Sequence, residues 1–146
     1  MTTKRTAARE AALQLLFVHD QNDAVAREDV LRYLREQLPD AESQDFALGL
    51  YDGTVAHRYD IDTLIRAAAE NWRIERIAIL DRNAIRLGAY ELMHAESDPV
   101  GVVMNETIEL ARKFGSAQSP GFVNAVLDRI FREWSAAKKV AESVAP

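Results

Sequence analysis

The sequence predicts an all-α protein, and three observations carry the prediction. Apolar residues recur at three- and four-residue spacing along most of the chain, and no stretch alternates in the manner of a strand. The 6 Gly and 4 Pro fall mostly at presumed helix ends, while Ala, Leu, Arg and Glu fill the stretches between. The stretch from Pro99 to Trp134 reads as two amphipathic helices joined by one shaped elbow.

Taken in order, Thr3 or Thr6 can cap a first helix whose inward side is Ala8, Ala11, Ala12, Leu15 and Leu16. A second runs from about Ala26 to Gln37, with Val30, Leu31 and Leu34 inward, and closes before Pro39. Asp40 or Ser43 opens a third, in which Gly53 marks either a close helix crossing or an early frayed end. Asp60 and Asp62 occupy the first turn of a fourth, where the helix dipole favours negative charge, and Asn71-Trp72-Arg73 forms a joint. The fifth, from about Arg76 to Ala95, is the most apolar. Glu91 falls inside its apolar arc and so needs an arginine or a helix start to satisfy it.

Pro99 starts the sixth helix and Gly115 stops it. Glu109 and Lys113 form an i,i+4 pair on its polar face. Ser119-Pro120 reads as an N-cap and first-turn proline for the seventh, with Val123, Val126, Leu127, Ile130 and Trp134 as its apolar stripe. Asn105 and Asn124 flank the stripes as structural, interhelix hydrogen-bonding residues. Leu15, Leu80, Ala84, Ile108, Val126 and Ile130 sit mid-stripe and are predicted to be buried. Residues 136–146 have weak periodicity and are expected to fray or be disordered.

Composition excludes several chemistries. With no cysteine there is no disulfide, thiolate metal site or thiol nucleophile. His19, His57 and His94 are scattered and match no metal-ligand spacing, and neither a phosphate loop nor a nucleophile elbow is present. The expectation is a binding protein without catalytic residues, cofactor or metal. No run approaches a membrane span and no secretory leader is visible, so a cytoplasmic location is expected. Net charge is −5, so any nucleic-acid surface must be a local basic patch. Lys4, Arg5 and Arg9 at the first helix are such a patch, with only Glu10 against them. Arg76, Arg82 and Arg86 extend it if the fifth helix faces the same way.

The run VMNETIELARKFG followed by FVNAVLDRI resembles the signature of the NusB family, small all-helical proteins of bacterial transcription antitermination. RTAAREAALQLLF is similar to that family's first helix and LDRNAIRLGAYEL to its fifth, so the resemblance runs from about Arg5 to Ile130. It implies one domain over residues 1–135 made of two helical subdomains, the first three helices (1–57) and the last four (60–135).

It also implies an RNA-binding adaptor that holds boxA, a short single-stranded element of ribosomal transcripts, together with the ribosomal protein NusE on elongating RNA polymerase and its other Nus factors. For some members it implies self-association. The RNA surface implied is the arginine-bearing N-terminus with the elbow from Gln118 to Phe122, although Thr6, Ala7 and Ala8 stand where other members can carry further arginines. Phe17, Glu75 and Asp81 are the positions implied at the NusE interface. A related domain precedes some ribosomal-RNA cytosine methyltransferases, which makes an RNA-targeting module the alternative. At 146 residues, no cofactor-binding domain is expected to follow.

Overall fold

The computed structural model describes residues 3–144, and the N-terminal Met1-Thr2 and C-terminal Ala145-Pro146 lie outside the described residues. Seven α-helices follow one another: α1 (Lys4–Gln21), α2 (Arg27–Gln37), α3 (Ala41–Ala56), α4 (Arg58–Ala68), α5 (Ile79–Tyr90), α6 (Val100–Phe114) and α7 (Ser119–Val144). A 3-10 turn (Ile74–Arg76) precedes α5 and a π turn (Glu91–Ala95) follows it. There is no strand among the described residues.

Local chemistry explains the starts. The Thr3 hydroxyl accepts from the Thr6 amide at 3.0 Å and caps α1, and the Asp40 carboxylate accepts from the Ser43 amide at 3.1 Å and caps α3. Helix α1 packs on α3 and α5, while α5, α6 and α7 pack on one another, and one continuous core joins all of them. Ala8, Ala12, Leu13, Leu50, Ile61, Ile65, Ile85, Leu87, Leu127 and Ile130 are its most enclosed members. Leu15, Ala84, Val126 and Ile130 are buried as predicted, whereas Leu80 and Ile108 are only half-buried, because each sits at the rim of its helix contact.

Gly53 marks a close crossing, not a frayed end: the Tyr90 ring of α5 occupies the space a Cβ would need. Gly115 ends α6 for a steric reason as well. Its φ is −100°, outside the left-handed region, but a Cβ there would sit 2.7 Å from the Ala111 carbonyl oxygen and 2.6 Å from Ser119 Cβ. Ser119 does not cap α7. The Gln118 carbonyl accepts the first helical bond, from Phe122 N, while Ser119 Oγ accepts from the Ser116 amide at 2.9 Å and staples the elbow.

Four expectations are corrected. The fifth helix is broken, because Ile77 and Ala78 are extended and the chain widens into the π turn where Glu91 turns inward. Residues 136–144 are helical: α7 continues to Val144, since Ala136, Ala137, Lys138, Lys139, Ala141 and Glu142 are strong helix formers, although this last stretch is exposed and Ala145-Pro146 lie outside the described residues. Asn105 and Asn124 are exposed and make no side-chain hydrogen bond among the described residues. Lys113 pairs with Glu10 of α1 at 2.8 Å, and Glu109 pairs with Arg112.

Candidate nucleic-acid and partner interface

Arg9 is not a surface cation. It is 2 % exposed, and its guanidinium meets the buried Glu91 through two nitrogens and Asp98 through Nη2 at 2.7 Å. Burial, the largest influence, works against the Arg9 cation, but the hydrogen bonds and charge of Glu91, reinforced by Asp98, outweigh it and raise its pKa. Ser97 Oγ also donates to Glu91 at 2.7 Å. The carboxylate that looked misplaced in the fifth helix is therefore the partner of the arginine assigned to RNA.

Arg5, one turn earlier, bonds Asp98 at 2.8 Å and the Ser97 carbonyl at 2.9 Å, and its guanidinium lies 4.7 Å from the centre of the Phe46 ring. Its side chain is still 47 % exposed. The Asp98 carboxyl sits below its usual range; burial pulls it up, but Arg5 and Arg9 pull it down further. Lys4 is exposed and only 3.8 Å from Asp40. The N-terminal patch thus keeps Lys4 and Arg5 and loses Arg9.

Arg82 and Arg86 are also turned inward. Arg86 is 4 % exposed and forks onto Asp62, Nε at 2.7 Å and Nη2 at 3.0 Å. Arg82 donates from Nε to Asp20 at 2.9 Å and from Nη1 to the Ile77 carbonyl at 3.0 Å. Asp62 is accordingly an internal counterion, not a free first-turn acid. Helix α5 uses these arginines to hold α1 and α4, because buried acids on both helices demand partners.

The remaining candidates converge. Arg76, Asp81, Gln118 and Phe122 line one groove of about 250 Å³, together with Trp72 and Ile77. Arg76 and Gln118 are exposed, Phe122 is half-buried, and Trp72, 56 % exposed, meets Phe122 edge to face with ring centres 6.3 Å apart. Asp81 is the anomaly of this wall. It is 9 % exposed, and its Oδ1 is buried without a hydrogen-bond partner among the described residues. A buried, unpartnered carboxylate oxygen is costly unless a donor arrives from outside.

Lys4 and Arg5 do not line this groove. Phe17 is 43 % exposed on α1, and Glu75 is exposed on the 3-10 turn. Sequence reasoning placed Trp72 only in a joint and missed it as a lining residue of the groove. Its signal was an aromatic in a short polar joint, where no packing stripe claims it. Among the described residues no group of three or more His, Asp or Glu side chains is placed to hold a metal, and no helix is long and apolar enough to cross a membrane.

Comparison with known proteins agrees with this architecture. The NusB family model matches residues 6–132. The chain is 43 % identical over 126 residues to a transcription antitermination protein NusB of Sorangium cellulosum, covering 86 % of this chain and 90 % of that one. It is 42 % identical over 127 residues to the NusB protein of Bacillus subtilis, covering 87 % and 94 %. Among solved structures, T. maritima NusB superposes with a TM-score of 0.79 at 33 % identity, covering 91 % of this chain and 94 % of that one. NusB in a complex of antitermination factors NusB and NusE with double-stranded RNA superposes at 0.80 and 28 % identity, covering 91 % and 99 %. With seven helices in that arrangement and a family match across most of its length, the chain belongs to the NusB family.

Proposed function

We infer that this protein is a transcription antitermination factor that binds boxA-type single-stranded RNA jointly with NusE and acts with it on elongating RNA polymerase. The observation that carries the reading is the shared groove, in which RNA candidates Arg76, Gln118 and Phe122 stand beside the partner candidate Asp81. Trp72 and Phe122 offer ring faces and edges for splayed bases, the mode by which proteins read unpaired RNA. Arg76 and the outlying Lys4 and Arg5 supply phosphate contacts. A basic group of NusE would satisfy Asp81 Oδ1, with Phe17 and Glu75 completing that contact. A chain of net charge −5 then gains attraction to a basic ribosomal protein while keeping a local RNA surface. The likeness to the NusB of a NusB–NusE–RNA complex supports this reading.

The test is a titration of boxA-like and scrambled single-stranded RNA, each with and without NusE. Preferential binding of the boxA-like strand, strengthened by NusE, is expected. Equal binding of the two strands, both with and without NusE, would overturn the proposed specificity.

A further inference from the structure

Four arginines meet in a second cavity, which shares no lining residue with the groove. Arg58 and Arg66 of α4 and Arg82 and Arg86 of α5 line a space of about 240 Å³, with Asp20 of α1 and Glu75 as the acids on its wall. That is room for several waters at about 30 Å³ each.

The acids do not balance the cations. Asp20 alone serves three arginines: Oδ2 accepts from Arg82 Nε at 2.9 Å and Arg86 Nη1 at 3.4 Å, and Oδ1 accepts from Arg58 Nη2 at 3.2 Å. Asp62, behind the wall, is held by the fork of Arg86 and also lies 3.7 Å from Arg58 Nε. Arg66 and Glu75 are exposed and form no ion pair among the described residues. Four arginines therefore face three carboxylates, and the carboxylate closest to solvent is not engaged. Arg82 Nη2 also has no partner among the described residues, since its Nε and Nη1 hold Asp20 and Ile77. The neighbouring His19 senses the same field: its pKa is lowered, first by burial and then by the charge of Arg58, whose Nη1 lies 3.4 Å from Nδ1.

We propose that this cavity is a phosphate-binding site in which Arg58, Arg66 and Arg82 donate to the ligand while Arg86, fully engaged by acids, braces them. A phosphate group carries several acceptor oxygens and matches guanidinium forks, which a monovalent halide cannot do. The ligand is either a free phosphate or small phosphate ester, or a phosphate of an RNA backbone. The site is present in the free chain and does not rest on the RNA reading above.

Calorimetric titration of the full chain with inorganic phosphate, at ionic strength held constant with chloride, tests it. Saturable binding is expected, weakened about tenfold in Arg66→Ala, the order of one lost charge-assisted hydrogen bond. Arg66→Lys should retain part of it, and Glu75→Gln should tighten it by removing a competing anion. Both positions are exposed, and circular dichroism checks that the fold is kept. Absence of saturable binding, or the same affinity in Arg66→Ala and Glu75→Gln as in the parent, overturns the site. A second arm repeats the titration with boxA-like RNA already bound. If phosphate is then excluded and Arg66→Ala also weakens the RNA, the ligand is a backbone phosphate; if phosphate still binds, it is the free or small-ester form.

Discussion

Arg9 and Glu91 stand 82 positions apart in the chain and close a two-point ion pair between α1 and the π turn, Nε donating to Oε1 at 2.9 Å and Nη2 to Oε2. Both side chains are almost fully enclosed, at 2 % and 1 % exposure. Removing one member strands the other charge in a dry site, which typically costs about 3–5 kcal/mol. Arg9→Ala is therefore expected to lower the urea midpoint strongly, and the double variant Arg9→Met with Glu91→Leu to recover much of the loss. An unchanged midpoint in Arg9→Ala would return Arg9 to the RNA surface.

Asp81 calls for a milder change than a charge reversal, because it is buried instead of standing free on the helix surface. Asp81→Asn removes the charge at nearly constant shape. The amide keeps a polar atom where Oδ1 stands, so the variant relieves only the desolvation of a charge, against about 0.3–1 kcal/mol lost from an acid in the first turn of α5. Stability should hold or rise while NusE affinity falls. Thermal unfolding beside calorimetric titration with NusE separates the two, and full NusE affinity in Asp81→Asn would move the partner elsewhere.

The elbow depends on Gly115. A methyl group there must displace Ser119 or the fixed carbonyl of Ala111, so Gly115→Ala is expected to cost about 1–3 kcal/mol, the range of overpacking. Circular dichroism should show near-parental helix content before heating and a lowered melting temperature. A melting temperature equal to the parent's would mean that the elbow yields freely.

Two contact types should separate in the groove. Arg76→Ala is expected to weaken boxA-like and scrambled RNA alike and to make the salt dependence shallower by about 0.7 in log–log slope, the value for one phosphate contact to a single strand. Trp72→Ala should keep the slope and lose about 1–3 kcal/mol of affinity per stacked base. Binding over a salt series with NusE present reads both, and a changed slope in Trp72→Ala would refute the stacking role.

His57 and His94 stack with ring centres 3.9 Å apart; His94 is exposed at its outer side, and its pKa is lowered, first by partial desolvation and then by His57. A lowered folded-state pKa means that the unfolded chain takes up a proton more readily. Stability is thus complete above the ordinary value of 6.5 and declines as pH falls below it toward the folded value. The urea midpoint should drop as pH falls below about 6.5, and the drop should be smaller in His94→Gln. Equal drops in the two proteins would dissociate the stack from this dependence.

Much of the helical architecture was legible because it is a one-dimensional property: apolar residues spaced for one helix face, cap candidates among which the structure uses Thr3 and Asp40, and a proline or glycine at the ends of α6. The family signature was legible for the same reason, as an ordered run of residues. The charged site residues were not. Arg5 and Arg9 share a helix face and a residue type, yet one is half exposed and the other is sealed against Glu91 and Asp98. Arg76 reaches the groove, while Arg82 and Arg86 turn to Asp20 and Asp62. Periodicity assigns a residue to a side of its own helix, but whether that side meets water or a buried acid from a distant segment depends on how helices pack. Helix periodicity and the ordered family signature are properties of the chain taken residue by residue; which arginines stay exposed depends on packing, because the desolvation that binds the others to carboxylates exists only once α1, α4 and α5 come together.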